Sequence, residues 1–181
     1  MKSDRIVKSA ILLAGIIMAT DGYALSTDRE QPIELEADFG EIDDQAQVTT
    51  YRGNVVANQG SMRFTGDTLT IHYNDRGKAE KVFLQGKPAT YRQLLDAEEE
   101  YTEGEALTIE YHAQQELLVL IEKAELTQGA KLLKGHRIDY DVKRNLLKAR
   151  KATPEELARE PSSQGERIKV ILPPAKKDKA E

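Results

Sequence analysis

From Tyr51 to Tyr73 apolar side chains return at every second position, Met62 and Phe64 first, then Leu69, Ile71 and Tyr73. A period of two belongs to an extended strand with one buried face. Gly53, Gly60 and Gly66 divide the stretch into short pieces, as turns do. The pattern returns 69 positions on: Gln59-Gly60 falls on Gln128-Gly129, Gly66 on Gly135, Leu69 on Ile138, and Glu36-Ala37 on Glu105-Ala106. A weaker echo at 38 positions lays Gly66–Tyr73 over Gly104–Tyr111. Repeated short strands cannot bury their apolar faces singly and must stack on one another.

The rest of the chain fits that frame. Ile33–Ala37 alternates strictly, Ile42 opens a second element, and Val48–Tyr51 leads into the repeated stretch. Asn74–Gly77 reads as a turn, Val82–Leu84 as a strand, and Gly86-Lys87-Pro88 as a turn before Ala89–Arg92. Asp96–Glu103 reads as a solvated acidic hairpin tip. Leu107–Tyr111, Leu117–Ile121, Ala124–Leu126, Leu132-Leu133, Ile138–Val142 and Leu146–Ala149 follow, with Leu117–Ile121 apolar on both faces and therefore central. The insert Thr153–Gly165 begins with the cap, early proline and early acids of a helix start. Arg167–Leu172 is one more strand, and 173–181 is a charged, disordered tail. The spacing predicts an all-β domain over 25–172 of about fourteen to sixteen short antiparallel strands. Sandwich, barrel and elongated roll all accommodate such strands, and the repeat favours the roll.

Composition narrows the function. The chain has 181 residues, one domain's worth, with no tryptophan and 31% charged residues. Its formal charge is −5, and residues 1–24 contribute +1 of it, so the remainder carries −6. Such an acidic domain lacks the basic footprint of a nucleic-acid binder. With no cysteine, thiol catalysis, disulfides and lipoprotein anchoring are excluded. Lys2, Arg5 and Lys8 precede the apolar run Ala10–Thr20, and Gly22-Tyr23-Ala24 offers a cleavage site. Residues 1–24 are therefore expected to be a secretory signal removed after Ala24, with an uncleaved membrane anchor as the competing reading.

Catalytic signals are absent. His72, His112 and His136 have no serine or cysteine partner at a recognisable spacing, and no phosphate loop, GxSxG or HExxH is present. Asp139 and Asp141 flank Tyr140 and could hold a metal, but alternating carboxylates on an outer strand face are commonly just solvated. No cofactor is called for. An apolar lining remains: Ile33, Leu35, Met62, Phe64, Leu69, Ile71, Tyr91, Leu107, Ile109, Tyr111, Leu126, Ile138 and Tyr140. Two sheet faces collapsed on each other would make these the core, and the same faces held apart would make them a greasy groove. Periodicity does not separate the two.

Gln31–Asp38, Tyr51-Arg52-Gly53-Asn54-Val55 with Gln59-Gly60, Gly86–Tyr91, and Glu103–Ala106 running into Ile109-Glu110-Tyr111 resemble the OstA-like (LptA) family of lipopolysaccharide-transport proteins. The resemblance covers about residues 31–150, and the strand at 167–172 also fits. The membrane-anchored LptC and the N-terminal domain of LptD share that fold. The insert Thr153–Gly165 is longer than the family leads one to expect. The resemblance implies an open β-jellyroll with a hydrophobic interior groove and no catalytic activity. It implies a periplasmic carrier, joined head-to-tail, bridging the inner-membrane LptBFGC complex and outer-membrane LptDE, with LptC at one edge and LptD at the other. Lipopolysaccharide acyl chains would lie against Ile33, Leu35, Phe64, Leu69, Ile71, Tyr91, Ile109, Tyr111, Leu126, Ile138 and Tyr140. The alternatives are an anchored LptC-like member, a structural secreted β-protein with a filled core, and an enzyme using the Asp139/Asp141 face.

Overall fold

A computed structural model describes residues 28–95, 100–159 and 167–173. The expected signal at 1–24, the tip of the acidic hairpin at 96–99, residues 160–166 and all of the tail beyond Pro173 lie outside the described residues. A single 3-10 turn at Asp28–Glu30 precedes β1 (Ile33–Glu36), β2 (Phe39–Asp43), β3 (Val48–Gln59), β4 (Met62–Tyr73), β5 (Ala79–Leu95), β6 (Glu100–His112), β7 (Leu117–Gln128), β8 (Lys131–Asp141) and β9 (Leu146–Arg150). Helix α1 (Pro154–Arg159) and β10 (Lys169–Ile171) follow. All pairings are antiparallel. β3 to β8 pair in sequence order, β1 and β2 both pair with β3, and β9 and β10 both pair with β8.

The long strands β3 to β8 do not run straight. Each successive pairing shifts register near its middle, at Arg52/Val55, Thr65/Thr68, Gln85/Ala89, Glu105/Thr108 and Ile121/Ala124. An extra residue in one strand bends it and turns the following side chains to the other face. Gly53, Asn54, Glu122 and Lys123 take positive φ along this line. In β6, Thr102, Gly104 and Ala106 are buried before the shift, and Ile109 and Tyr111 after it, so the inward phase moves from even to odd positions. The sheet therefore folds along the line into two leaves with their inner faces together. Leaf A holds β1, β10 and one half of each long strand. Leaf B holds β2, β9 and the other halves. Contacts cross between the leaves. The rings of Phe64 on leaf A and Tyr111 on leaf B lie 6.1 Å apart, and Gln128 on leaf A donates to Asn145 at the rim of leaf B at 3.1 Å.

Among the described residues the strands number ten instead of fourteen to sixteen. Gly53, Gly66 and Gly86-Lys87-Pro88 read as turns but lie inside strands at the bend. Counting each leaf separately restores sixteen segments, six long strands twice and four short ones. The acidic tip also shortens, since Glu100–Glu103 belongs to β6. Helix α1 starts where expected. Thr153 Oγ1 accepts from the Glu156 N–H at 3.3 Å, and Glu156 accepts from the Thr153 N–H at 2.7 Å, a reciprocal cap. Arg150 grips the same carboxylate with two N–H groups at 2.7 and 2.8 Å, and His136 lies 3.5 Å from it. The insert thus carries the chain from β9 on leaf B to β10 on leaf A and is tied to both β8 and β9.

The hydrogen bonds from the Arg150 guanidinium, then that from the Thr153 N–H, hold the Glu156 carboxyl far below the usual carboxylate range. A depressed folded value adds stability above the unfolded value of about 4.3, and that contribution is lost as pH falls below it. Glu156→Gln is therefore expected to be less stable than the parent at pH 7. The difference should narrow as the pH falls toward 3, measured by urea unfolding at each pH.

Candidate functional site: the interior between the leaves

Register partners on neighbouring strands line up into rows that cross the sheet, and three rows face inward from one end of the roll to the other. On leaf A the row is Leu35, Ala57, Phe64, Tyr91, Gly104, Leu126, Leu133 and Val170. Deep on leaf B it is Gly40, Tyr51, Leu69, Leu84, Ile109, Leu120, Ile138 and Ala149. Nearer the rim of leaf B it is Ile42, Thr49, Ile71, Val82, Tyr111, Leu118, Tyr140 and Leu147.

Ten of the eleven residues expected to touch acyl chains fall in these rows. Leu35, Phe64, Tyr91 and Leu126 lie on leaf A, and Leu69, Ile71, Ile109, Tyr111, Ile138 and Tyr140 on leaf B. All but Leu35 and Phe64 are buried, and those two are half-buried against the same cluster. Ile33 is the exception. It pairs with Gln59 one step nearer the rim and is 54% exposed on an edge strand. Met62 joins the buried cluster. Leu107 does not, because it sits in the bulge between Glu105 and Thr108, where the phase changes. The alternation missed Ala57, Leu84, Leu118, Leu120, Leu133 and Leu147. Of these, Leu118 and Leu120 were hidden in a run apolar on both faces.

The middle of the interior is packed. Leu84, Leu118, Leu120, Ile138 and Tyr140 have no exposed surface. Phe64 also stacks at a tilt on Tyr91, 5.1 Å between centroids. Leu120 leans so close to Gly104 that a Cβ there would come within 2.8 Å of it, which is why the leaf A row carries a glycine at that point. The ends differ from the middle. The exposed large apolar residues are Ile33, Phe39 and Ile42 on the first strands, Leu146, Ile168, Val170, Ile171 and Leu172 on the last, and Tyr101 between them. Tyr101 has its own cover, with the Arg92 guanidinium 3.5 Å above its ring. At the first end a recess of about 340 Å³ opens between Ile42, Val48, Thr49, Tyr51 and Tyr73.

A polar network borders the interior on leaf A. Buried Asp28 accepts from the Ser61 N–H at 2.7 Å, from Ser61 Oγ at 2.7 Å and from Gln93 Nε2 at 2.9 Å. The Tyr91 hydroxyl donates to Gln93 Oε1. Burial, then the neighbouring Tyr111, Tyr140 and Asp28, push the Tyr91 phenol well above its ordinary range. Gly60 lies against Asp28 at positive φ, leaving no room for a Cβ. No feature of the sequence marked Asp28, because its partners are 33 and 65 positions away.

On the outer face the two carboxylates offered as a metal or catalytic pair are each held by an arginine. Asp139 is bound by Arg137 at 2.8 Å and Asp141 by Arg144 at 2.6 Å. The Arg144 hydrogen bonds hold the Asp141 carboxyl below its usual range. No group of three or more potential metal ligands occurs among the described residues. None of their helices is long and apolar enough to cross a membrane.

Fold and interior together define an end-exposed antiparallel β-roll with an apolar lining running through it. The family described as "LptA/(LptD N-terminal domain) LPS transport protein" matches residues 34–146. The lipopolysaccharide export system protein LptH of Pseudomonas aeruginosa is 37% identical, over 96% of this chain and 98% of its own. LptA of Escherichia coli K12 is 29% identical, over 96% and 89%, and LptA of Haemophilus influenzae 35%, over 80% and 86%. The crystal structure of LptH, described as the LptA-homologous periplasmic component of the lipopolysaccharide transport device of P. aeruginosa, superposes with a TM-score of 0.74. It covers 82% of this chain and 99% of that one at 37% identity. The chain belongs to the LptA/LptD N-terminal domain family, a family of carriers and not of enzymes.

Removing the carboxylate that organises the rim leaves the Ser61 N–H and the Gln93 amide unpaired. Asp28→Ala is expected to lower unfolding free energy by about 1–3 kcal/mol, checked by urea denaturation.

Proposed function

We propose that this chain is a periplasmic carrier that passes lipopolysaccharide along its interior, acyl chains between the leaves and sugars outside. Residues 1–24 act as the signal that exports it. Copies join head-to-tail, with LptC at one terminal edge and LptD at the other. One observation carries this reading. Three inward rows run the length of the roll, and the exposed large apolar residues cluster where those rows end. A filled structural core has no reason to leave its lining open at both ends. An open sheet end also presents unpaired backbone groups that recruit another strand. The first and last strands differ in sequence, so joining them is a heterologous contact, which extends instead of closing. A bound chain gains about 0.8 kcal/mol per buried methylene, which offsets part of the cost of separating the leaves.

Photo-crosslinking tests the lining. A crosslinker at Tyr111, in the inner row, should capture lipopolysaccharide, and one at Glu110, its outward neighbour, should not. Equal labelling of both positions would falsify the assignment of the acyl chains to the interior. Light scattering over a concentration series tests the edges. Val170 pairs with Leu133 on an edge strand and is 55% exposed. Val170→Pro fixes φ and removes an N–H there, so a folded variant should lose the higher oligomers that the parent forms. An unchanged series would move the joining edge to β9.

A further inference from the structure

One row on the inner face of leaf A is polar. Gln93, Thr102 and Gln128 are register partners on β5, β6 and β7, and all three are more than nine-tenths buried. The row lies two residues nearer the rim than Tyr91, Gly104 and Leu126 on the same strands. Gln93 is held by Asp28. Gln128 reaches across the seam to Asn145, which also accepts from the Tyr140 hydroxyl at 3.4 Å. Asn145 lies in the turn between β8 and β9, so this contact closes the two rims on each other. Between the two glutamines, the Thr102 hydroxyl is fully buried and has no hydrogen-bond partner among the described residues.

A purely apolar cargo gives no reason for such a row. Buried amides and hydroxyls are ordinarily satisfied, and an orphan among them points to a missing partner. The groups here are neutral donors and acceptors, with a single carboxylate at one end. They suit amide, ester and hydroxyl groups, and the Asp28 charge disfavours a phosphate.

We propose that Gln93, Thr102 and Gln128 form a binding site for the neutral, acyl-bearing part of a lipid's sugar head, the rest of the sugars lying outside the rim. Chains attached at that head would run into the apolar row beside it. The closed seam exchanges its Gln128–Asn145 bond for bonds to the head when lipid enters, and Thr102 then gains its partner. This site rests on the carrier reading above.

The test compares two ligands on the full mature chain: lipid A, which has the head, and cis-parinaric acid, a fluorescent fatty acid with one chain and no sugar. Thr102→Val keeps the shape and removes the hydroxyl. It should melt at or above the parent temperature and bind the fatty acid as the parent does. Its affinity for lipid A should fall about three- to tenfold, the worth of one hydrogen bond. Thr102→Ser should keep the parent affinity, and Thr102→Ala should repeat the selective loss should valine crowd the row. Parent affinity for lipid A in both Thr102→Val and Thr102→Ala would overturn the site, as would an equal loss for both ligands. Failure of the unsubstituted protein to bind lipid A sinks the carrier reading itself, and that result is distinct from any difference between variants.

Discussion

The interior exists because β3 to β8 change pleat phase along one line. Without the shifts near Arg52, Thr65, Gln85, Glu105 and Ile121, a strand of twelve residues would keep one set of side chains on one side throughout. A flat sheet of that width could not bury its apolar face against itself. With the shifts, each long strand supplies one wall of leaf A and one of leaf B, and the corner needs no connecting loop. The residues at the line fit this role. Gly53 and Asn54 tolerate positive φ, and Gly66 sits where a Cβ would come within 2.7 Å of Leu84. Glu122 and Lys123 also take positive φ there, at a steric cost that the pairing on both sides must offset.

This geometry explains how much was legible in the sequence. The inward phase within each leaf was readable, because Phe64 and, after the bend, Leu69 and Ile71 alternate cleanly. The continuity of a strand through its bend was not, because a glycine at a bulge and a glycine at a turn look alike in one dimension. Gly60 lies in a true turn and Gly66 within β4, although each follows an alternating run. The 69-position repeat proves to be structural. Leu35 and Gly104, Ala57 and Leu126, and Phe64 and Leu133 are each 69 apart and occupy one row. The echo at 38 is not a true equivalence. Phe64 and Gly104 share a row at an offset of 40, so a shift of 38 keeps the face and misses the row by two residues. The rim network stayed hidden for another reason. Asp28, Ser61 and Gln93 are adjacent only because the chain entering β1 folds back over the β3–β4 turn.

The polar rim and the apolar rows set opposing conditions on the same seam. Burying the Thr102 hydroxyl unpaired costs about 1–3 kcal/mol, and the closed state bears that cost while packing Tyr91, Tyr140 and Leu120 tightly. Core packing of this density resists opening. On the carrier reading, the unpaired hydroxyl and a seam held by a few hydrogen bonds favour it. The Gln128–Asn145 bond across the seam joins uncharged groups, so it can part and re-form without transferring a proton or a charge.

The repeat bears directly on movement along the roll. Four strand spacings separate equivalent positions, about 19 Å at the usual strand spacing, and the rows offer apolar contacts at each step. On the carrier reading, an acyl chain displaced by that distance meets a lining of the same kind, and the next copy extends it where Val170 and Ile42 lie exposed at opposite ends. The side chains at these positions differ, but the contacts at each step are of one apolar kind, with no charged step between them on the rows. On the carrier reading, such a lining lets a lipid shift in either direction and drives it in neither, so the direction comes from loading at one end or removal at the other. That fits a protein whose carboxylates at Asp139 and Asp141 are occupied by arginines and whose interior offers shape, apolar surface and a polar rim.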